Sequence, residues 1–88
     1  MKKSGNSLLF FGSKKCISCL CLEEKVLRQG IPKDEIVYLD INIDHEVFSA
    51  FGVRVVPTLM ITSQTSGEVK RLVGDVPVAE LKQFLRYK

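Results

Sequence analysis

The sequence predicts an α/β domain: a four-stranded mixed sheet built in the order β-α-β-α-β-β-α and flanked by three helices. Three features carry that prediction. The apolar run Ser7-Leu8-Leu9-Phe10-Phe11 leads through a short polar loop into a C-x-x-C that opens an amphipathic helix. A second apolar run, Ile36 to Ile41, follows the helix stop at Gly30 and Pro32, and a strand-helix-strand unit of this length implies a right-handed parallel crossover. Two further strand patterns flank the turn Gln64-Thr65-Ser66-Gly67 as a hairpin, with a terminal helix behind them.

In chain order, residues 1–6 carry Lys, Ser, Gly and Asn and are expected to fray. Ser7 to Phe11 has no polar face, which suits a central strand buried on both sides. The helix from Ile17 should turn Leu20, Val26 and Leu27 toward the core, and Gly30 suits a C′ position with Pro32 preventing continuation. Asp44 is the expected N-cap of a short helix over His45 to Phe51, whose apolar face is Val47, Phe48 and Phe51, with Gly52 closing it. Leu59 to Thr62 and Glu68 to Val73 are the hairpin strands. The last helix should start at about Pro77 and bury Leu81, Phe84 and Leu85. Leu9, Phe11, Leu39 and Ile61 complete the expected core. Residues 1–88 then form a single domain, with no internal repeat or linker.

Composition excludes several function classes. A net charge of +3 without aromatic residues interleaved among Lys and Arg is not a nucleic-acid stripe. The basic start Met1-Lys2-Lys3 precedes an apolar run shorter than the roughly seven to fifteen residues of a secretory core. No apolar stretch nears the roughly eighteen residues that span a bilayer. Three clustered cysteines are too few for a secreted disulfide framework. The expectation is a cytoplasmic, reducing environment, no membrane or nucleic-acid partner, and a monomer.

Cys16 and Cys19, at the first turn of a helix, can reach each other and close a disulfide. The free N–H groups and positive end of the helix dipole favour a thiolate on the first sulfur, and Lys14 and Lys15 push the same way. In a β-α-β setting this motif reads as a dithiol redox site. Cys21 points about 160° away from Cys19 on the helix and is expected as a small buried apolar side chain. Cys16, Cys19 and Cys21 as three metal thiolates are the rival reading, although His45 lies alone and far along the chain and no fourth ligand is evident.

Three motifs together resemble the thioredoxin and glutaredoxin superfamily over nearly the whole chain: the strand-loop-C-x-x-C-helix of Leu8 to Leu27, Phe51-Gly52-Val53-Arg54-Val55-Val56-Pro57-Thr58, and Val73-Gly74-Asp75 before a helix containing Leu81-Lys82-Gln83-Phe84-Leu85. The resemblance implies the thioredoxin fold and thiol–disulfide exchange, with Cys16 as nucleophile and Cys19 as resolving thiol. It implies a cis Val56-Pro57 bond against the sulfurs, and a Val56 backbone that pairs with an extended substrate. Lys15, Ile17, Ser18, Val56, Pro57, Thr58 and Gly74 would contact that substrate, with Arg54 flanking the groove. No bound cofactor or metal is implied. Electrons would pass from NADPH through thioredoxin reductase, or from glutathione, to disulfide-containing proteins.

The chain is closest in character to small glutaredoxin-like thioredoxins. Val55-Val56-Pro57 and Val73-Gly74-Asp75 only partly match the glutathione-holding motifs of glutaredoxins, which favours a thioredoxin-type partner. A glutathione-linked glutaredoxin, and a non-catalytic binding or metal module on the same fold, are the alternatives. Lys15 stands where thioredoxins carry Trp, and Ile17-Ser18 replaces Gly-Pro, so Ser18 is available to hydrogen-bond a thiolate. Phe10 stands where thioredoxins bury an Asp. Asp40, at the end of the second strand, is either the carboxylate beneath the dithiol or a strand-end Asp facing water.

Overall fold

A computed structural model describes residues 6–88. Of the start expected to fray, residues 1–5 lie outside the described residues, and Asn6 donates its side-chain amide to the Tyr87 carbonyl at 3.3 Å. The elements are β1 (Ser7–Gly12), α1 (Ile17–Arg28), β2 (Ile36–Asp40), α2 (His45–Phe51), β3 (Thr58–Ser63), β4 (Gly67–Val73) and α3 (Val78–Leu85), with one short 3-10 turn at Lys33–Glu35. The four strands form one sheet in the order β2-β1-β3-β4. β1 is parallel to β2, with Leu8 opposite Ile36 and Gly12 opposite Asp40. β3 is antiparallel to both β1 and β4. This is the predicted thioredoxin fold, a mixed sheet with three helices.

Side chains alternate along a strand, and β1 uses both sides. Leu8 and Phe10 join Leu59 and Ile61 of β3 under α1 and α3, where Leu22, Val26, Leu81 and Phe84 complete a cluster. Leu9 and Phe11 join Met60 on the other face, under Phe48 of α2 and Val53. The sheet is thus covered on both faces, which is why β1 carries no polar residue between Leu8 and Phe11.

Three local expectations are corrected. The buried stripe of α1 is Cys19, Leu22 and Val26, whereas Leu20 is 56% exposed and Leu27 only flanks the core. The sheet lies under the helix face that carries Cys19, and residues three and four apart share that face while Leu20 does not. Asp44 occupies the N-cap position of α2 but makes no side-chain capping bond. Its carboxylate instead accepts the Asp40 backbone N–H at 2.8 Å, tightening the loop after β2. Pro77 is the N-cap of α3 and not its first helical residue; its carbonyl already accepts the Leu81 N–H at 3.1 Å. Gly30 and Gly52 end α1 and α2 as expected.

Phe11 is fully buried and meets Phe48 edge-on, with ring centroids 5.0 Å apart. Phe11→Ala should therefore cost about 3–5 kcal/mol, read as a lower denaturant midpoint at unchanged slope. A loss below about 1 kcal/mol would show that this cluster does not hold α2 on the sheet.

Candidate active site

Strand pairing gathers four loops at one pole. β1 ends with Gly12 opposite Asp40, β3 begins with Thr58 opposite Phe11, and β4 ends with Val73 opposite Thr58. The loop into α1, the loop after β2, the loop into β3 and the turn into α3 therefore share one edge. Cys16 and Cys19 lie there, joined by a disulfide with their Cα atoms 5.2 Å apart.

Local hydrogen bonds set the first sulfur in place. The Ser13 carbonyl accepts the Cys16 N–H at 3.2 Å, and Ser13 Oγ accepts the Lys15 N–H at 3.2 Å. Cys16 then becomes the N-cap of α1 in an extended conformation, and its Sγ accepts the Cys19 N–H at 3.1 Å. Sulfur stands where a Ser or Asp oxygen usually caps a helix. No acidic side chain occupies the first turn, so no carboxylate competes with that sulfur for the positive helix end. The two thiol positions differ in access: Cys16 is half-buried, whereas Cys19 is 3% exposed.

Opposite lies the loop ending in Pro57, whose bond to Val56 is cis as expected. Pro57 is buried, and Val56 packs against the core clusters on both faces of the sheet; Cys16 packs against the one under α1. Buried Thr58 donates its hydroxyl to the Val55 carbonyl at 2.8 Å, fixing the loop from within. The Pro57 carbonyl accepts the Gly74 N–H at 2.8 Å. Gly74 has φ 93°, a conformation that side chains rarely adopt, so a glycine suits this contact. Lys25 ties α1 to the same turn, donating to Asp75 Oδ1 and to the Val76 carbonyl, both at 2.9 Å. Of the expected substrate-contacting residues, Lys15, Ile17 and Ser18 are exposed at the start of α1, Val56 and Gly74 are half-buried in the loops into β3 and α3, and Pro57 and Thr58 are buried.

A groove of about 470 Å³ opens beside Cys19, lined by Phe10, Leu20, Tyr38, Ile43 and Asp40 among others. Its floor is tight: a Cβ on Gly12 would stand 3.0 Å from the Phe10 ring and 3.3 Å from Cys19 Sγ. Glycine there leaves room for both the Phe10 ring and Cys19 Sγ. Asp40 is half-buried on the lining of this groove, with Oδ1 accepting the Asn42 N–H at 2.8 Å. The sequence reading missed Glu23, which lines the same groove and accepts the Tyr38 hydroxyl at 2.7 Å. The available signal was its spacing, one helical turn after Cys19. Cys21, expected buried, is an exposed free cysteine, because the buried side of α1 runs through Cys19 and Leu22. Among the described residues, no group of three or more His, Cys, Asp or Glu is arranged to hold a metal ion. Among the same residues, no helix is long and apolar enough to cross a membrane.

A family model for the thioredoxin-like domain matches residues 1–88. The fold is similar to a mutant thioredoxin from Halobacterium salinarum NRC-1, at 27% identity and a TM-score of 0.78, covering 96% of this chain and 74% of that one. It is similar to the Fasciola hepatica thioredoxin at 24% identity and a TM-score of 0.77, covering 98% and 84%. A third likeness is thioredoxin NaTrxh from Nicotiana alata, at 23% identity and a TM-score of 0.78, covering 98% and 75%. No curated protein matches the chain significantly.

Burial, the Glu23 hydrogen bond and the Glu23 charge, in that order, push the Tyr38 phenol above the ordinary phenol range. Tyr38 then stays protonated in the folded chain where the unfolded chain has ionised it. Its contribution to stability is present below about pH 10 and is lost as pH rises beyond that. Phenolate absorbance, with Tyr38→Phe subtracted, should show Tyr38 ionising at lower pH in Glu23→Gln than in the unaltered protein. Coincident titrations would mean that burial alone sets the shift.

Proposed function

The chain belongs to the thioredoxin-like domain family, and from that premise we propose that it is a dithiol–disulfide oxidoreductase, a small electron carrier that reduces disulfides in other proteins. The observation that carries this reading is the Cys16–Cys19 disulfide at the start of α1, with Cys16 Sγ as the helix cap. In the reduced form the Cys16 thiolate attacks one sulfur of the substrate disulfide. The Cys16–substrate bond forms as the substrate bond breaks, and the departing sulfur takes up a proton. Cys19, as thiolate, then attacks Cys16 Sγ, the mixed disulfide breaks, and the second substrate sulfur is protonated. Two electrons and two protons pass to the substrate, and the Cys16–Cys19 disulfide is left behind.

Burial supports this division of labour, since the attacking thiol must be accessible and the resolving one need meet only its neighbour. The helix N-terminus and the Lys14 and Lys15 ammonium groups favour the Cys16 thiolate. The extended substrate pairs with the Val56 backbone beside Pro57 and Thr58, with Lys15, Ile17, Ser18 and Gly74 around it. The carrier works as a monomer in a reducing, cytoplasmic setting and binds no cofactor. It is recharged from NADPH through thioredoxin reductase, the glutathione motifs being incomplete. In the resolving step Asp40 accepts the Cys19 proton across the shared groove.

Thiol counting on the oxidised protein tests the assignment. NADPH with thioredoxin reductase should restore two thiols rapidly, and Cys19→Ser should accumulate a mixed disulfide at Cys16. Recovery with glutathione and its reductase alone would make the chain a glutaredoxin. No recovery with either, together with no mixed disulfide, would leave a binding module. For the proton step, Asp40→Asn should slow release of the mixed disulfide at pH 7 by about tenfold or more while leaving the first attack unchanged. An unaltered release rate in Asp40→Asn, with a slowed one in Glu23→Gln, would move the role to Glu23.

A further inference from the structure

We propose that the dithiol pole selects protein disulfides flanked by acidic residues, on segments that are apolar beside the cysteine. The inference rests on the exchange activity proposed above and names its substrate class. Lys14 and Lys15 lead directly into Cys16, and Arg54 stands in the loop that leads into Pro57. All three are exposed, and none makes an ion pair among the described residues. The β1–β3 pairing of Phe11 with Thr58 brings these two loops to the same edge of the sheet, with Arg54 toward the α2 side, beside His45 and Gly52. Asp75, the carboxylate in the third loop, is engaged by Lys25. Asp40, Asp44 and Glu23 lie on the Cys19 side of the site, along the groove that Lys14 also lines, where Asp40 and Asp44 each accept a backbone N–H and Glu23 accepts the Tyr38 hydroxyl. The chain that leads into Cys16 is cationic, and the carboxylates are set back on the Cys19 side.

The same loops and the end of β4 also expose aliphatic side chains. Ile17 is 76% exposed, Val55 53% and Val73 50%. Aliphatic contacts with positive charge around them suit a peptide segment with apolar residues next to the cysteine and Asp or Glu further out. A single-stranded nucleic acid would call for aromatic stacking platforms, and the aliphatic rim provides none. Charge of this kind acts mainly on encounter and orientation, so it should appear in the second-order rate and fade with salt.

The test uses the intact chain, reduced with a small dithiol and desalted, and three cyclic disulfide peptides that differ only in Glu, Gln or Lys at the flanking positions. Each turnover oxidises Cys16 and Cys19 to the disulfide and reduces one peptide disulfide to two thiols. At low ionic strength the Glu peptide should react about tenfold faster than the Lys peptide, with the Gln peptide between them, and the spread should collapse in high salt. Because Lys14 and Lys15 also act on the Cys16 thiolate, variants are compared by the Glu-to-Lys rate ratio, in which the thiolate fraction cancels. That ratio should invert in the triple variant Lys14→Glu, Lys15→Glu, Arg54→Glu. Equal rates for the three peptides would overturn the acidic preference while leaving the exchange activity standing. Failure to reduce even the Gln peptide would overturn the exchange reading itself, and this proposal with it.

Discussion

Strand β1 is hydrogen-bonded along both edges and buried on both faces, and the geometry of the dithiol follows from that double constraint. Its parallel partner β2 holds Gly12 opposite Asp40, and its antiparallel partner β3 holds Phe11 opposite Thr58. A one-residue slip would exchange the Phe10 and Phe11 faces, taking Phe11 out of its edge-on contact with Phe48 and Phe10 away from the Tyr38 ring. With Leu and Phe on both faces, the register is fixed by the fit of these rings and not by a polar–apolar alternation. Once it is fixed, the loop before Cys16 and the loop before Thr58 must emerge side by side. The Gly74–Pro57 hydrogen bond and the Lys25 contacts extend the same pole to the turn into α3. Cys16 and the Val56–Pro57 bond sit on loops and Cys19 in the first turn of α1, and each loop is tied within a few residues to a buried strand, the arrangement expected where a rigid scaffold presents chemistry.

The two sulfurs share one turn of one helix and occupy different chemical environments. Cys16 is at the positive end of α1, half-buried, with two ammonium groups preceding it in the chain. Cys19 is inside the helix, buried in the same core cluster as Phe10. For the exchange proposed above, this gives an accessible first sulfur at the helix end and a second that meets only its neighbour. A single short motif therefore supplies two sulfurs of unequal access and surroundings.

Much of this was legible in the sequence, for reasons particular to each element. β1 announced itself because a strand buried on both faces has no polar position, and Ser7 to Phe11 has none after its first residue. Cys16, Cys19 and Pro57 were legible because a C-x-x-C after such a strand and a proline before an apolar strand are local signals. What failed was anything decided by tertiary contact. The choice of Cys19, Leu22 and Val26 over Leu20 as the buried stripe of α1 depends on how the helix is rotated against the sheet, and Leu and Cys carry no information on that phase. The same rotation exposes Cys21. Asp44 had the chemistry of a cap, but the Asp40 N–H offered a competing donor that only the folded loop brings near. Glu23 and Tyr38 belong to different elements, so their pairing had no local signature.

Phe10 bears most directly on how the proposed exchange would run. The Phe10 ring, in the same buried cluster as Cys19, can neither accept a proton nor act as a carboxylate base for the proposed resolving step. Two physical terms remain to drive the second step. One is proximity: the Cα atoms of the two cysteines lie 5.2 Å apart on one helical turn, so the attack is intramolecular and does not wait for encounter. The other is the groove along Cys19, through which a proton can leave toward water or a carboxylate at its rim. A site organised this way relies on the mixed disulfide to hold Cys16 against Cys19 and on the groove to carry the proton away. The carboxylates therefore stand at the rim, in reach of water, where their charge needs no buried partner.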